Sequence, residues 1–482
     1  MCLVGLSITL ASCQALGGGQ GLDAFRPSAN PVTVDTVTRN DRMAGIAREQ
    51  HPRILATYGG EYSDAKLERM VARVVGSLTL DPDNPNQTYQ ITILNSPNIN
   101  AFALPGGYLY VTRGLLALAS DSAELAAVLA HEMAHVTANH GIERQQREAE
   151  EVLASQVVAD VLGGGDTNAR VAVARGKLRL AQFSRNQELE ADAIGIRAIA
   201  RAGYDPFAAA RFLQAMAAYS ASRNVTGAVD ENLDFLASHP TAPQRIELAL
   251  RHARQFGAPG TGKRERESFL SGIDGLLFGD TPDEGYVRGR VFLHPRLGVS
   301  FTVPDGFVID NSAAAVTAAG PGDTAVRFDG VTIDPRISLS DYVRSGWVAG
   351  LEPGSIRPVT INGNEAVTAH AKADDWQFDI VVIRAGGQIY RLLTAAPRAS
   401  TSLEAVARQV SSSFRLLSEA EKSNLRPLRL RVVTVGAGDT IASIAERMVG
   451  IDRKQDMFRL LNSLSAGATI SAGQKVKIIS DR

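Results

Sequence analysis

Cysteine is nearly absent from this chain: its 482 residues include two, Cys2 and Cys13, both near the N-terminus. The remainder can form no internal disulfide, so stability there must come from packing or a bound metal, even in an oxidising compartment. An excess of either charge is missing too. Lys and Arg number 50 against 51 Asp and Glu, and this formal net charge of -1 removes the basic footprint expected of a nucleic-acid-binding protein. Beyond the N-terminus no stretch approaches the ~20 consecutive apolar residues of a membrane-spanning helix. What remains is 45% hydrophobic and 21% charged, the composition of globular domains with ordinary cores, and the length allows about three of them.

Histidine is also scarce, eight in all, yet two of them fall in the run AHEMAHV. His131 and His135 stand about 40° apart round a helix, so both imidazoles can reach one metal ion. Glu132 lies on the flank of that face. Neutral imidazoles holding Zn²⁺ with one position open bring the pKa of its water to about 7, and an adjacent carboxylate can take the proton. Glu132 is therefore the candidate general base. A chance HExxH is expected about once in a hundred such sequences, but the surrounding residues favour a real helix. Asp121 and Glu124 are spaced as a capping box, an apolar stripe runs from Leu125 to Val136, and Gly141 offers a stop. His140 falls about 180° round the same helix from His131 and is excluded from the metal site.

A third ligand is expected from a second helix, FSRNQELEADAIGIRAIARAGYDP. Glu188 and Asp192 share one face, whereas Glu190, about 200° from Glu188, points away. Glu188 as ligand and Asp192 as the group that orients a ligand histidine form the consistent pair.

With NAFALPGGYLYVTRGLL before them and SHPTAPQRIELA after, HEMAH and SRNQELEAD resemble the HExxH metallopeptidases related to the CAAX prenyl proteases and the periplasmic beta-barrel assembly-enhancing protease. The resemblance covers residues 41–255. It implies a mainly α, zincin-like domain with a small β hairpin or sheet, one zinc ion per chain, and His131, His135 and Glu188 as its ligands. In NAFALPGGYLYV, alternating apolar residues after the Pro105, Gly106, Gly107 turn read as a hairpin strand. The family places this edge beside the substrate, so Asn100, Ala101 and Phe102 are the expected edge to which an extended peptide adds as a strand. In SHPTAPQRI, Thr241 and Gln244 are spaced as a capping box, which puts His239 in the loop entering a helix. The resemblance suggests His239 as a fourth ligand or gate at the open position. Arg245 either contacts the active-site carboxylates or braces its helix, and bracing is the favoured reading; with Asp192 it is placed behind the ligands.

At the N-terminus, MCLVGLSITLASCQALGGGQ has a short apolar run, then Leu10, Ala11, Ser12 and Cys13, then a glycine-rich tether. It resembles a bacterial lipoprotein signal. The resemblance implies a signal peptide over 1–12, lipidation of Cys13, a tether over 13–40, and a periplasmic protein anchored by acyl chains in place of a spanning helix. Gln14 favours the inner leaflet of the outer membrane.

Residues 256–284 change composition and read as a linker with a short helix, although GIDGLLFG also suits docking on the catalytic domain. From 285 to 418 strand patterns predominate, with a helix near SLEAVARQVSSSF, so an α+β antiparallel-sheet domain with helices on one face is expected. Its pattern is faintly similar to the photosystem-accessory and Mog1-like sandwich. Trp347, Trp376, His294 and His370 read there as packing residues. The segment 428–482 reads strand, turn, helix, helix, strand. Its TVGAGDTIASIA, LLNSL and ISAGQKVKI resemble a LysM domain, a small βααβ fold. That resemblance implies peptidoglycan binding through Gly438, Asp439, Thr440 and Ile441 on one loop and a second loop from Ile470 to Gly473.

The whole chain thus reads as a multidomain, lipid-anchored periplasmic zinc endopeptidase. The resemblance suggests misfolded or stalled envelope and outer-membrane proteins as substrates and the outer-membrane assembly machinery as a partner. The alternative is a gated or inactive peptidase fold serving as a wall-anchored chaperone or scaffold. A metalloenzyme cutting the peptidoglycan stem peptide is a third reading.

Overall fold

The computed structural model describes residues 42–80, 88–144, 146–148, 166–226, 235, 239, 243–311, 315–451 and 453–482. The signal segment 1–12, lipidation at Cys13, the tether 13–40 and Thr241 of the expected capping box lie outside the described residues.

The N-terminal half is mainly helical. Its elements are α1 (Arg42–Thr57), α2 (Ala65–Leu78), β1 (Gln90–Leu94), β2 (Ala101–Leu104), β3 (Tyr108–Thr112), α3 (Arg113–Leu118), α4 (Ser122–Thr137), α5 (Asp166–Arg201), α6 (Ala208–Thr226), α7 (Pro243–Ala253) and α8 (Arg266–Ile273). The three strands form a sheet ordered β1-β3-β2, in which β1 and β3 run parallel and β2 pairs antiparallel at the edge. Gly106 and Gly107 both have φ above 80° and close the β2–β3 hairpin, a conformation that L side chains resist. Helix α4 is buried on every face from Ser122 to Ala134, as its alanine- and leucine-rich text requires. Asp121 caps it by accepting from the Glu124 N–H, and the Glu124 carboxylate returns to the Ser120 N–H, one residue earlier than a strict capping box. The helix ends sooner than expected. Asn139, at φ 62°, turns the chain, and Gly141 lies in renewed helix beyond the break.

The expected linker is packed structure. Phe269, Leu270 and Ile273 of α8 are fully buried, and β4 (Leu277–Phe278) joins a sheet ordered β17-β16-β4 with two strands of the C-terminal segment, β16 (Leu428–Thr434) and β17 (Lys475–Ser480). Burying three such side chains contributes roughly 5–9 kcal/mol before entropy is charged. Between β16 and β17 lie α12 (Ile441–Ala445) and α13 (Lys454–Leu461), and the two strands pair antiparallel. This unit is not an independent bead. Leu430, Ile444, Phe458, Val476 and Ile479 belong to the same apolar cluster as Leu115, Leu116, Leu129 and Phe269 of the helical half.

The middle region holds two antiparallel sheets. With β5 (Tyr286–Arg288), β6 (Val291–His294), β7 (Val299–Thr302), β8 (Val308–Asn311), β9 (Val316–Gly320), β10 (Thr324–Val331), β11 (Arg357–Ile361), β12 (Asn364–Ala373), β13 (Trp376–Ala385), β14 (Gln388–Pro397) and β15 (Arg415–Leu416), which α11 (Glu419–Asn424) follows, one is ordered β11-β12-β13-β14-β10-β9-β8 and the other β15-β7-β6-β5. Helices were expected on one face, but both faces of the larger sheet are covered. Val381 and Ile383 of β13 (Trp376–Ala385) face the core shared with α10 (Leu403–Ser413), while Ile380 and Val382 face the core under α9 (Leu339–Arg344). The unbroken apolar run Ile380–Ile383 carries that information, because a strand with one wet face alternates.

Lys477 joins the C-terminal unit to the helical half. Its side chain is completely buried, and Nζ donates to the carbonyls of Ala117 (2.7 Å), Leu118 (3.0 Å) and Ala119 (2.9 Å) at the end of α3. Lys477→Met orphans three buried acceptors and is expected to cost about 3 kcal/mol or more. Calorimetry of the full chain should show a lowered transition. Fluorescence of Trp347 and Trp376, both in the middle region, should keep its midpoint, and a calorimetric profile identical to the unaltered protein would refute the clamp.

Asp379 on β13 faces His370 across the strand pair, at 3.5 Å. Burial pushes its carboxyl up to about 6 against the pull of His370, with Glu404 adding to the rise. A carboxyl raised above its unfolded value of about 3.9 binds protons more tightly when folded, so stability grows as pH falls through 6 and is lost as pH rises through it. Asp379→Asn should therefore stabilise the middle region at pH 8 by about 2 kcal/mol and flatten its pH dependence between about 4 and 6. Denaturant titrations followed by tryptophan fluorescence measure both, and an undiminished slope in the variant would count against the assignment.

Candidate metal centre

Two helices and one separate segment build the site. Helix α4 supplies His131, Glu132 and His135, and α5 supplies Glu188 and Asp192. They meet because Gly195 lies against α4. A Cβ at this position would fall 3.1 Å from the His131 backbone nitrogen and 3.3 Å from the Ala130 carbonyl carbon. A larger residue would force the two backbones apart by a few tenths of an ångström at the crossing that brings Glu188 to the imidazoles.

Donor atoms of His131, His135, Glu188 and His239 all lie within 4.8 Å of one another. His131 Nε2 is 3.1 Å from His135 Nε2 and 3.3 Å from His239 Nδ1. Glu188 Oε1 is 2.9 Å from His239 Nδ1 and 3.4 Å from His135 Nε2. Four donors at 2.0–2.1 Å around a tetrahedral ion stand about 3.3 Å apart, so nitrogen and carboxylate donors here have the chemistry and spacing of a zinc set. Three of the four are buried and His135 is partly so. The Oε1 atom of Glu132 is buried beside them without a hydrogen-bond partner among the described residues; His239 Nε2 approaches it to 3.5 Å.

Behind the donors sits a second layer. His131 Nδ1 is 2.9 Å from Asp192 Oδ1, and Arg245 on α7 holds Asp192 with two hydrogen bonds of 2.8 Å. Arg245 Nη1 also lies 2.9 Å from Glu188 Oε2, so this arginine contacts both carboxylates, where bracing of its helix had been the favoured reading. Such partners fix the tautomer and orientation of a ligand histidine. On the other flank, His140 Nδ1 is 3.0 Å from His135 Nδ1, and its Nε2 is 3.4 Å from Glu190. His140 is outside the four-donor cluster, but the helical angle was the wrong reason: the break at Asn139 turns it back towards His135. Glu190 is not one of the four donors, and its carboxylate ends on His140.

The environment separates the two carboxylates. Burial raises the Glu132 carboxyl, with the charges of His239 and His131 opposing. Glu188 is held well below the usual range: burial would raise it, but the His239 charge and hydrogen bonds from His131 and His239 prevail. Burial likewise disfavours a charged His131, but Asp192 and Glu188 lift it to about 10. Burial lowers His135, assisted by repulsion from its neighbouring histidines.

Phe235, which the sequence did not single out, ties the cluster to the sheet edge. Its ring stacks on His239 at 4.5 Å and 29°, and its N–H donates to the Ile99 carbonyl at 2.9 Å, just before β2. Ala101 begins that edge strand, Asn100 is buried with its amide donating to the Tyr58 hydroxyl, and Phe102 stacks on Tyr110 at 4.8 Å. The five residues expected to bind glycan differ in their access. Gly438 and Thr440 are exposed, Asp439 is half-buried, and the Thr440 hydroxyl caps α12. Ile441 is buried, and Ile470 packs partly against the core.

Residues 61–253 match the profile of Peptidase family M48. The mitochondrial metalloendopeptidase OMA1 of Saccharomyces cerevisiae is 32% identical over 189 residues, covering 38% of this chain and 53% of that protein. The beta-barrel assembly-enhancing protease of Escherichia coli is 30% identical over 254 residues, covering 49% of this chain and 50% of that one. The chain thus spans about half the length of these relatives. A solution structure of cyanobacterial PsbP from Synechocystis covers 29% of this chain and 98% of its own at 13% identity, with a TM-score of 0.22, too low to establish a shared fold. Over residues 61–253, which include the helices that carry the cluster, the chain is thus similar to peptidase family M48.

Proposed function

We propose that this protein is a zinc-dependent endopeptidase of the bacterial envelope that hydrolyses misfolded or stalled envelope proteins. The observation that carries the reading is the buried four-donor cluster with, beside it, a Glu132 oxygen that has no hydrogen bond among the described residues and lies 3.5 Å from His239. His131, His135 and Glu188 hold the metal. Zinc, when bound, supplies Lewis acidity that polarises a peptide carbonyl and acidifies water. Glu132 accepts the proton of the attacking water and returns it to the leaving amine. Asp192 and Arg245 keep His131 and Glu188 in place. An unfolded chain lies along β2 as an added strand, which suits substrates with exposed backbone.

His239 acts as the gate in this reading. It occupies the position that a catalytic site must keep open, and its release admits substrate. Supporting the envelope assignment are the beta-barrel assembly-enhancing proteases among the relatives and the lipoprotein-like N-terminus with Cys13. No described helix is long and apolar enough to cross a membrane. In this reading the LysM-like segment binds peptidoglycan, with Gly438 to Ile441 and Ile470 meeting the sugar.

Two outcomes are expected with unfolded casein and the fragment from Asp41 onward. Glu132→Gln should keep one zinc per chain by elemental analysis while turnover falls about a thousandfold. Full proteolysis by that variant rules out the catalytic assignment. His239→Ala should retain zinc and cut several-fold faster than the unaltered protein. Equal and negligible turnover in both favours the scaffold reading over the peptidase.

A further inference from the structure

Where the helical half meets the C-terminal unit, between α6 and α13, lies a cleft of about 780 Å³ that shares no lining residue with the metal cluster. Five guanidinium groups line it, Arg211, Arg264 and Arg266 from one side and Arg453 and Arg459 from the other. Carboxylates answer three of them. Arg211 meets Asp205 at 2.6 Å and Glu124 at 3.4 Å, Arg264 meets Asp121 at 2.7 Å, and Arg453 meets Asp456 at 2.7 Å. Arg266 and Arg459 form no ion pair among the described residues. Arg266 donates to the carbonyls of Ser120 and Lys475, and Arg459 to that of Ser465, so neither guanidinium is in direct contact with a carboxylate among the described residues, although Asp121, Glu124 and Glu267 act on Arg266 at longer range. One arginine comes from each side of the junction. The remaining wall is mixed, with Ala215, Ala218 and Leu460 beside the amides of Gln214 and Gln474.

We propose that this cleft binds an acidic peptide segment, with Arg266 and Arg459 each taking a carboxylate. A guanidinium has five N–H donors in a planar fork, so those not bonded to backbone carbonyls remain for a carboxylate. The alanine and leucine wall receives the apolar parts of the same ligand, and the amides meet its backbone. A lone inorganic anion would leave most of so large a volume to water, whereas several residues of extended chain fill it. The cleft reaches Glu124, about 10 Å along α4 before His131, so it is a site separate from the chemistry.

The test is fluorescence anisotropy of labelled hexaglutamate with the full chain, as unaltered protein and as Glu132→Gln, so that cleavage of the probe cannot pass for release. Saturable binding at about 50 mM salt that weakens several-fold at about 300 mM is expected. Arg459→Gln, at a half-exposed position, should weaken it about tenfold, while Arg336→Gln, remote and exposed, should not change it. Arg266→Gln removes structural bonds as well and is read only if its thermal midpoint is unchanged. Absent saturation, equal binding by Arg459→Gln, or equal binding of hexaglutamine would each overturn the proposal. So would displacement of the probe by inorganic phosphate at concentrations near the peptide's own Kd, since that marks a site for a small anion.

Discussion

The close crossing of α4 and α5 at Gly195 is the constraint on which the rest of the centre depends. Two helices normally stand 8–10 Å apart because side chains fill the gap, but here a missing Cβ brings one helix against the backbone of the other beside His131. Glu188 then reaches both α4 imidazoles, and Asp192 reaches the far nitrogen of His131. A buried carboxylate pair at this distance repels itself, so the crossing needs a cation between the two groups. Arg245 provides it, with a two-point contact to Asp192 and a single contact to Glu188. Its planar fork does what a lysine could not, and its place on α7 makes the helix that follows His239 part of the centre.

The second dependence runs through the core. A helix buried on every face cannot be stabilised by its own sequence; it needs a shell, and α4 obtains part of that shell from residues far along the chain. Phe269 and Leu270 of α8 lie in the same apolar cluster, and the C-terminal unit adds Leu430, Phe458 and Ile479. Lys477 completes the junction where α3 gives way to the cap of α4. The C-terminal unit is therefore positioned by the helical half and also steadies the start of the helix that bears HExxH. Any ligand of that unit acts on a body continuous with the site.

How far the centre was legible in the sequence follows from what kind of signal each part leaves. His131, His135, Glu188 and Asp192 were readable because helical periodicity converts spacing into shared faces. His239 was readable only through a family likeness, since a histidine in a loop has no periodicity. His140 was misjudged because one residue, Asn139, in a left-handed turn cancels any angular argument that crosses it. Gly195 left no mark, because nothing local distinguishes a glycine needed for close approach from one merely tolerated. The apparent linker was misread for a related reason. A short helix and a docking of GIDGLLFG were both open to that reading, but that Leu277–Phe278 is a strand shows only once Leu428 and Arg429, far along the chain, pair with it. Both covered faces of β13 were legible in Ile380–Ile383, and the run was passed over for a one-faced sheet.

The closed cluster and the proposed hydrolytic role are reconciled by how unequally the four donors are anchored. His131 and His135 ride on a helix buried in the main core, and Glu188 is pinned by Arg245 and a packed helix, so moving any of them disturbs the core. His239 is tied differently. Among the described residues its imidazole meets Glu188 at 2.9 Å and His131 at 3.3 Å, its backbone N–H donates to the Phe235 carbonyl, and its ring stacks on Phe235, which is buried in the main core and donates to the Ile99 carbonyl. An N–H···O bond contributes about 1 kcal/mol net, and an aromatic contact about the same. Lifting Phe235 and His239 together also exposes the buried Phe235 side chain, at about 2–3 kcal/mol, and breaks the His239–Glu188 contact, so opening draws on the binding energy of a peptide that adds to β2 and takes over the Ile99 carbonyl. The same carbonyl would hold the gate shut in the absence of substrate and receive the strand when one arrives.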